Sequence, residues 1–342
     1  MTANTIVSTP IAVVGAGSWG TALAIQLARC GNPTKLWGRD PAAIAQMASQ
    51  RVNSRYLPDA KFPEKLIPVA DFAECVSGCD DILVAVPSHA FRETLEQLKP
   101  LTGPTTRIVW ATKGLERHTG EFLSVLCEEV LGARPMAIIS GPTFAKEVAA
   151  GLPAAVAVAS PDPKFASDLV ARLHGHGFRA YTNSDIIGVQ IGGAVKNVLA
   201  VAAGIADGLE LGANTRAGMI TRGLNETMRL GNAVGARQET FMGLAGLGDL
   251  ILTCTDNLSR NRRFGLCLAR GLSSEEAQAE IQQVVEGLFT TDEVWRLAQK
   301  HNVEMPIVEE VYAVLFKGRS PMDAVQALVN RAPKEEMAGT SG

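Results

Sequence analysis

Three stretches of this chain carry residue types that can do chemistry. In Gly192-Gly193-Ala194-Val195-Lys196-Asn197 a lysine sits in a run, Val195 to Ile205, whose other residues are nearly all apolar or small. No outward-facing stripe can be drawn through it, so Lys196 is expected to be partly buried and to need a partner or a task. The second stretch, Gly243-Leu244-Ala245-Gly246-Leu247-Gly248-Asp249-Leu250, is apolar and glycine-rich and holds one carboxylate. Asp249 is either a helix cap or a group that binds a substrate hydroxyl or holds a lysine, and its charge favours a protonated amine. The third, Ser259-Arg260-Asn261-Arg262-Arg263, sets a good N-cap before a helical turn with three arginines. Positive charge at a helix N-terminus is unfavourable by a few tenths to ~1 kcal/mol per group. A bound anion such as phosphate would compensate through backbone N–H groups and guanidinium forks; a solvated basic turn is the plainer alternative. Glu286, in Val284-Val285-Glu286-Gly287, is a lone acid at an apolar break to which residue chemistry alone gives no role.

A fourth stretch has a recognisable geometry. The apolar run Ile11-Ala12-Val13-Val14 leads into Gly15-Ala16-Gly17-Ser18-Trp19-Gly20 and then a helical pattern from Thr21 to Cys30. Strand, G-x-G-x-x-G and helix in that order form a dinucleotide fingerprint. Gly15 permits the tight turn, Gly17 lets backbone approach a pyrophosphate, and Gly20 lets the helix lie on the sheet. About 20 residues further on, where a ribose is usually read, stands Gly38-Arg39-Asp40. Arg39 suits a 2′-phosphate and Asp40 a 2′-hydroxyl, so the reading leans to NADP with tolerance for NAD.

The elements that must position these groups follow from periodicity. Apolar runs at Thr34–Trp37, Asp81–Pro87, Arg107–Ala111, Met136–Ser140 and Ala154–Ser160 alternate with helical segments, which predicts a Rossmann-type doubly wound α/β sheet. Ligands gather at the carboxyl ends of such strands, which puts Lys113, Gly141 and Thr143 on one rim with the fingerprint. The proline-rich Tyr56 to Pro68 reads as a surface excursion. From Asp185 to Arg331 strand signals vanish and helix punctuation recurs: a Ser273-x-x-Glu276 capping box, Pro306 and Pro321 in first turns, and Gly287 breaking the chain before a helix from Thr291. The expected organisation is a dinucleotide-binding domain over 1–188, an all-α substrate and catalytic domain over 189–333, and a flexible tail over 334–342.

Bulk properties narrow the partners. Net charge of -3 gives no field for nucleic acid or acidic membranes, so anion binding must rest on local basic residues. Hydrophobic content of 46% and charged content of 20% fit a soluble globular protein. Six scattered cysteines without C-x-x-C suggest reduced thiols in a cytoplasm, and the five histidines form no ligand cluster, so no metal is expected. The N-terminal ten residues lack signal-peptide character. Gly192 to Gly208, interrupted by Lys196 and Asp207, reads as a buried helix and no membrane insertion is expected.

Taken together, the fingerprint with Ser18-Trp19, Trp37-Gly38-Arg39, Ala111-Thr112-Lys113-Gly114-Leu115-Glu116, Ser140-Gly141-Pro142-Thr143-Phe144-Ala145, the Lys196 motif, Gly246-Leu247-Gly248-Asp249-Leu250 and Ser259-Arg260-Asn261 resemble the bacterial NAD(P)-dependent sn-glycerol-3-phosphate dehydrogenase family. The likeness runs collinearly from Ile11 to Val329. It implies reversible hydride transfer between NAD(P)H and dihydroxyacetone phosphate for glycerophospholipid synthesis, in a homodimer. It further implies that Ser18, Trp19, Arg39, Ala145, Arg260, Val284 and Glu286 hold the cofactor and that Lys113 touches both cofactor and substrate. Gly141, Thr143, Lys196, Asp249, Ser259, Arg260 and Asn261 would bind substrate, Asn261 by a neutral hydrogen bond, and Lys196 would exchange the proton. Two rivals stand beside it: a nucleotide-sensing regulatory protein, which needs only the fingerprint, and a related dehydrogenase acting on a hydroxy acid such as 6-phosphogluconate or 3-hydroxyisobutyrate.

Overall fold

The short apolar runs do become strands. The computed structural model describes residues 9–117 and 119–332; the expected tail at 334–342 and most of the N-terminal ten residues lie outside them. The chain divides into two units, the first running to Thr112 and resuming over Leu123–Ile186, the second holding Lys113–Phe122 and the chain from Ile187 on. The segment Lys113–Phe122, placed by sequence in the first domain, thus groups with the helical unit.

In the first unit the strands are β1 (Ile11–Val14), β2 (Thr34–Trp37), β3 (Val52–Asn53), β4 (Leu57–Lys61), β5 (Leu66–Pro68), β6 (Asp81–Val84), β7 (Arg107–Trp110), β8 (Met136–Ser140), β9 (Ala154–Ala159) and β10 (Phe178–Asn183). Eight form one sheet in the order β10-β9-β8-β7-β6-β1-β2-β5. β1 lies inside it, parallel to β2 and β6, and all four of its residues are buried, as expected of a strand covered on both faces. Two features depart from the periodicity reading. The sheet is mixed, because β9 runs antiparallel to β8 before β10 returns parallel to β9. Tyr56 to Pro68 is also more than a surface excursion: Leu57, Phe62 and Leu66 are buried, and β5 extends the sheet beside β2. Pro68, one of the prolines that suggested a loop, is tolerated because β5 is an edge strand.

At the amino ends of β6 and β7 lies a buried ion network. Arg107 clasps Asp81 with Nε at 2.5 Å and Nη2 at 2.8 Å, while its Nη1 reaches Asp168 at 2.6 Å. Arg172 sets Nε 2.8 Å from Asp81 Oδ2 as an ion contact without hydrogen-bond alignment, and donates from Nη1 and Nη2 to the Thr9 carbonyl and hydroxyl. Asp81 and Arg172 are fully enclosed, and the network ties the start of the sheet to the helix Pro163–Leu173.

The second unit is built around the helix Ile186–Gly208, buried along most of its length. It is long and apolar enough to cross a membrane, but 83% of its most apolar window is buried. Small residues let neighbours approach it closely. A Cβ on Gly192 would overlap the Ala245 carbonyl, one on Gly204 the Arg262 carbonyl, and one on Gly265 the Val201 carbonyl. Ser259 caps the helix Arg260–Ala269, with Oγ accepting from Arg262 N, and the Ser273–Glu276 capping box forms as expected. Gly287 does not break the chain. The helix runs Glu286–Lys300 and Gly287 is in its first turn, where a side chain would press on the Asn197 carbonyl at 2.8 Å. Close approach, not chain reversal, explains that glycine.

Candidate active site

Lys196 projects from the middle of its helix and is 7% exposed. Its Nζ donates to Asp249 Oδ1 and, at 3.1 Å, to Thr253 Oγ1. Asp249 opens the helix Asp249–Thr255 and is 1% exposed. Its second oxygen, Oδ2, accepts from Lys113 Nζ at 2.6 Å. One buried carboxylate therefore sits between two ammonium groups. Thr253 stands one helical turn after Asp249 and gives its own proton to the Asp249 carbonyl at 2.6 Å, which leaves a lone pair for Lys196.

The three groups set one another's protonation. Burial drives Lys196 down to about 7, with Asp249 opposing and Lys113 reinforcing the fall. Burial also works against the charge on Lys113, yet Asp249, followed by the Lys196 hydrogen bond and Glu286, prevails and its pKa is raised. Burial would raise Asp249, but the two lysines overcome it and hold the carboxyl below its ordinary value. Asp249 is thus the fixed anion, Lys113 the fixed cation, and Lys196 the group poised to exchange a proton.

Lys113 is held through its own segment. Two residues on, Leu115 N donates to Glu293 Oε2 at 3.1 Å, the Arg117 carbonyl accepts from Arg296 Nη2 at 3.1 Å, and Glu121 pairs with Lys300 at 2.7 Å. All three anchors lie on one face of the helix Glu286–Lys300.

The basic turn at Ser259 is organised differently from the expectation. Arg262 is drawn inward, pairing with Asp207 at 2.5 and 2.9 Å and with Asn257, so part of the compensation expected from an anion is internal. Arg260 is half-buried and has no side-chain partner among the described residues. The Asn261 amide is already engaged: Nδ2 donates to Asn197 Oδ1 at 2.9 Å and Oδ1 accepts from Gly287 N at 2.9 Å. Asn261 is therefore a tie between three helices, and its Nδ2 keeps a second hydrogen beyond the one given to Asn197.

In the first unit the fingerprint has the geometry its residues suggested. Gly15 has φ +119° and a Cβ there would come 2.6 Å from the Ala85 carbonyl, while a Cβ on Gly20 would overlap the Gly15 carbonyl. A Cβ on Gly17 would meet nothing within 4 Å. The helix starts at Ser18, so Ser18, Trp19 and Gly20 form a first turn with Gly17 as N-cap and no side chain capping it. Asp40 is spent as the N-cap of Pro41–Gln50, accepting from Ala42 N and Ala43 N at 3.0 and 3.3 Å, whereas Arg39 is exposed. On the strand-end loops, Gly141 has φ +155° beneath β9, Thr143 Oγ1 donates to its carbonyl at 3.2 Å, and Ala145 opens the helix Ala145–Ala150.

The structure joins Lys113, Lys196 and Asp249 in one cluster, links Ser259, Arg260 and Asn261 at one helix start, and sets Val284 and Glu286 at the start of the helix that anchors Lys113. Gly141, Thr143, Ala145, Arg39 and the fingerprint belong to the other unit. Sequence reasoning passed over Thr253, Asn197 and Glu293. The four-residue spacing from Asp249 to Thr253 could have revealed the first, and the polar neighbour of Lys196 the second. Asn197 Nδ2 is a buried donor with no hydrogen-bond partner among the described residues. Glu293 had no local signal, because its partner lies 178 residues away.

Comparison with known proteins bears on all of this. A family model for the N-terminus of NAD-dependent glycerol-3-phosphate dehydrogenase matches residues 10–166, and one for its C-terminus matches residues 185–326. The glycerol-3-phosphate dehydrogenase [NAD(P)+] of Haemophilus influenzae is 54% identical over 330 residues, 96% of this chain and 98% of that protein. The corresponding protein of Tolumonas auensis is 55% identical over 328 residues, 95% and 98% of the two chains. The crystal structure of glycerol-3-phosphate dehydrogenase from Coxiella burnetii superposes with a TM-score of 0.92 at 52% identity, covering 95% of this chain and 99% of that one. A D-mandelate dehydrogenase, at 14% identity and a TM-score of 0.62, shares the fold alone.

Proposed function

The chain belongs to the NAD-dependent glycerol-3-phosphate dehydrogenase family, and we propose that Lys196 is the proton-exchanging group of its reaction. The protein is an oxidoreductase using NAD or NADP, and its reaction is the reversible reduction of dihydroxyacetone phosphate to sn-glycerol 3-phosphate. The observation that carries the assignment is the single buried carboxylate, Asp249, shared by Lys113 and Lys196.

When bound, NAD(P)H supplies the hydride. The fingerprint fits the pyrophosphate of such a group, because Gly17 faces open space and the first-turn N–H groups carry no side-chain cap. Ser18, Trp19, Arg39, Ala145, Val284 and Glu286 are the further residues assigned to it. As the ketone oxygen gains negative charge, Lys196 stabilises it as an ammonium ion and then donates its proton, a form of general acid catalysis worth ~10²–10⁴-fold. Before transfer the Lys113–Asp249–Lys196 cluster carries one net positive charge, and afterwards none. Lys113 makes that transfer easier by pressing on Lys196, while Asp249 keeps the ammonium aimed. In the reverse direction neutral Lys196 takes the hydroxyl proton. The substrate phosphate goes to the N-terminus of Arg260–Ala269, where the side chain of Arg260 supplies a guanidinium and Asn197 a buried donor. Gly141 and Thr143 complete the substrate set. Feeding of glycerophospholipid synthesis, a homodimeric state and a cytoplasmic setting belong to the same proposal.

The test is loss of reduced-nicotinamide absorbance with dihydroxyacetone phosphate, in wild type and Lys196→Met, with NADPH and NADH compared. Turnover in the wild type and its loss by ~10²–10⁴-fold in the variant is the expected result. Because Asp40 is occupied as a helix cap and Arg39 is exposed, NADPH is expected to bind at least as well as NADH. Unimpaired turnover in Lys196→Met would overturn the assignment of Lys196. Oxidation of a hydroxy acid in preference to glycerol phosphate would favour the rival substrate class.

A further inference from the structure

Just before the proline-rich Tyr56 to Pro68, one polar residue enters the interior. Asn53, at the end of β3, is fully buried. Its Nδ2 donates to the Ala16 carbonyl at 3.0 Å and to Thr21 Oγ1 at 2.9 Å. The amide orientation is set by chemistry, since a backbone carbonyl can only accept. Its Oδ1 is buried with no hydrogen-bond partner among the described residues. A buried unpaired oxygen is unfavourable, so a side chain that keeps one is retained for what its donors do.

What the donors hold is the middle of the fingerprint. In a planar trans peptide the carbonyl and the following N–H point in opposite directions. A donor fixed on the Ala16 carbonyl therefore directs Gly17 N–H away from Asn53. It also removes a carbonyl dipole that, turned the other way, would repel an anion. Ala16 is confined from a second side, since a Cβ on Gly38 would lie 2.8 Å from the Ala16 methyl. Asn53 is itself held in place: Tyr56 N donates to its carbonyl at 3.2 Å, and the preceding Arg51 ties its guanidinium to the Leu66 and Pro63 carbonyls at 2.7 and 2.6 Å.

We infer that Asn53 is a positioning residue for cofactor binding: by holding the Ala16 carbonyl it aims Gly17 N–H at the pyrophosphate of a dinucleotide. The inference rests on the reading of the fingerprint as the NAD(P) site. Its test is equilibrium binding of NADPH to the full-length protein by nicotinamide fluorescence, with ADP and adenosine as competitors, in wild type, Asn53→Ala and Asn53→Leu. The leucine variant keeps the site filled where alanine could leave a cavity, and thermal unfolding without ligand verifies that each variant is folded. The expected result is binding of NADPH and ADP weakened by about 10- to 100-fold, with adenosine, which lacks phosphate, unaffected and kcat at saturating NADPH preserved within about twofold. Wild-type affinity for NADPH in both variants would overturn the inference, as would equal weakening of ADP and adenosine. Failure of the wild type to bind NADPH would instead overturn the reading of the fingerprint.

Discussion

Each unit buries one aspartate between two cations, and the two arrangements behave differently. Asp81 in the first unit is gripped by Arg107 and Arg172; Asp249 in the second by Lys113 and Lys196. Burial opposes the charge on all four bases. Arg107 overcomes it through Asp81 and Asp168 and ends raised, while Arg172 ends lowered despite Asp81. A guanidinium stays protonated in either case, so the Asp81 network has a constant charge and acts as a fastener. A lysine pushed to about 7 does not share that constancy. The same electrostatic plan gives a cluster of constant charge or one that titrates near neutrality, according to which base surrounds the carboxylate.

Exchanging the bases is the strongest way to break this comparison. Lys196→Arg keeps the cation and its partner but removes a proton that can be given up at neutral pH, so kcat in a dihydroxyacetone phosphate assay should fall by ~10²–10⁴-fold while the urea midpoint stays near wild type. The converse change acts on stability. Arg172→Met leaves Asp81 half-compensated in the interior and should lower unfolding free energy by about 3–5 kcal/mol in urea titration, with kcat per folded molecule unchanged. Arg172→Lys, which restores the charge without the fork, should recover part of that loss. A smaller effect sharpens the contrast. Lys196 carries its proton below about 7 and loses it above, so kcat/KM for ketone reduction should decline, and that for alcohol oxidation rise, as pH passes through that region. Flat profiles in both directions would remove Lys196 from the proton path.

Much of this plan could be read from the chain because it is local. β1, β2 and β8 fall on the residues their apolar runs marked, and the fingerprint glycines stand where turn, open approach and helix packing require them. The buried state of Lys196 followed from its apolar neighbours. What could not be read depends on partners distant in sequence. Nothing near Leu66 shows that it will extend a sheet, and nothing near Gly287 shows that Asn197 and Asn261 will press on it. Asp81 looked like the start of a strand, and only the fold reveals the two arginines, 26 and 91 positions away, that enclose it. Lys113 was assigned to the sheet rim by the strand before it, yet the anchors of its segment come from the helix Glu286–Lys300.

The glycine contact between Ile186–Gly208 and Arg260–Ala269 has a consequence for what the enzyme can measure. Gly204 and Gly265 bring the two backbones together with no side chain between them, so neither helix can slide inward or relax outward without losing that seat. One helix carries Lys196, the proposed proton donor, and the other begins at Ser259 and Arg260, the proposed phosphate seat. The two absent methyl groups therefore act as a gauge block, fixing the span between Lys196 and the start of the helix Arg260–Ala269. Under the proposed function that span is the length against which a three-carbon phosphate is measured, and a methyl group at either glycine would be a shim that resets it.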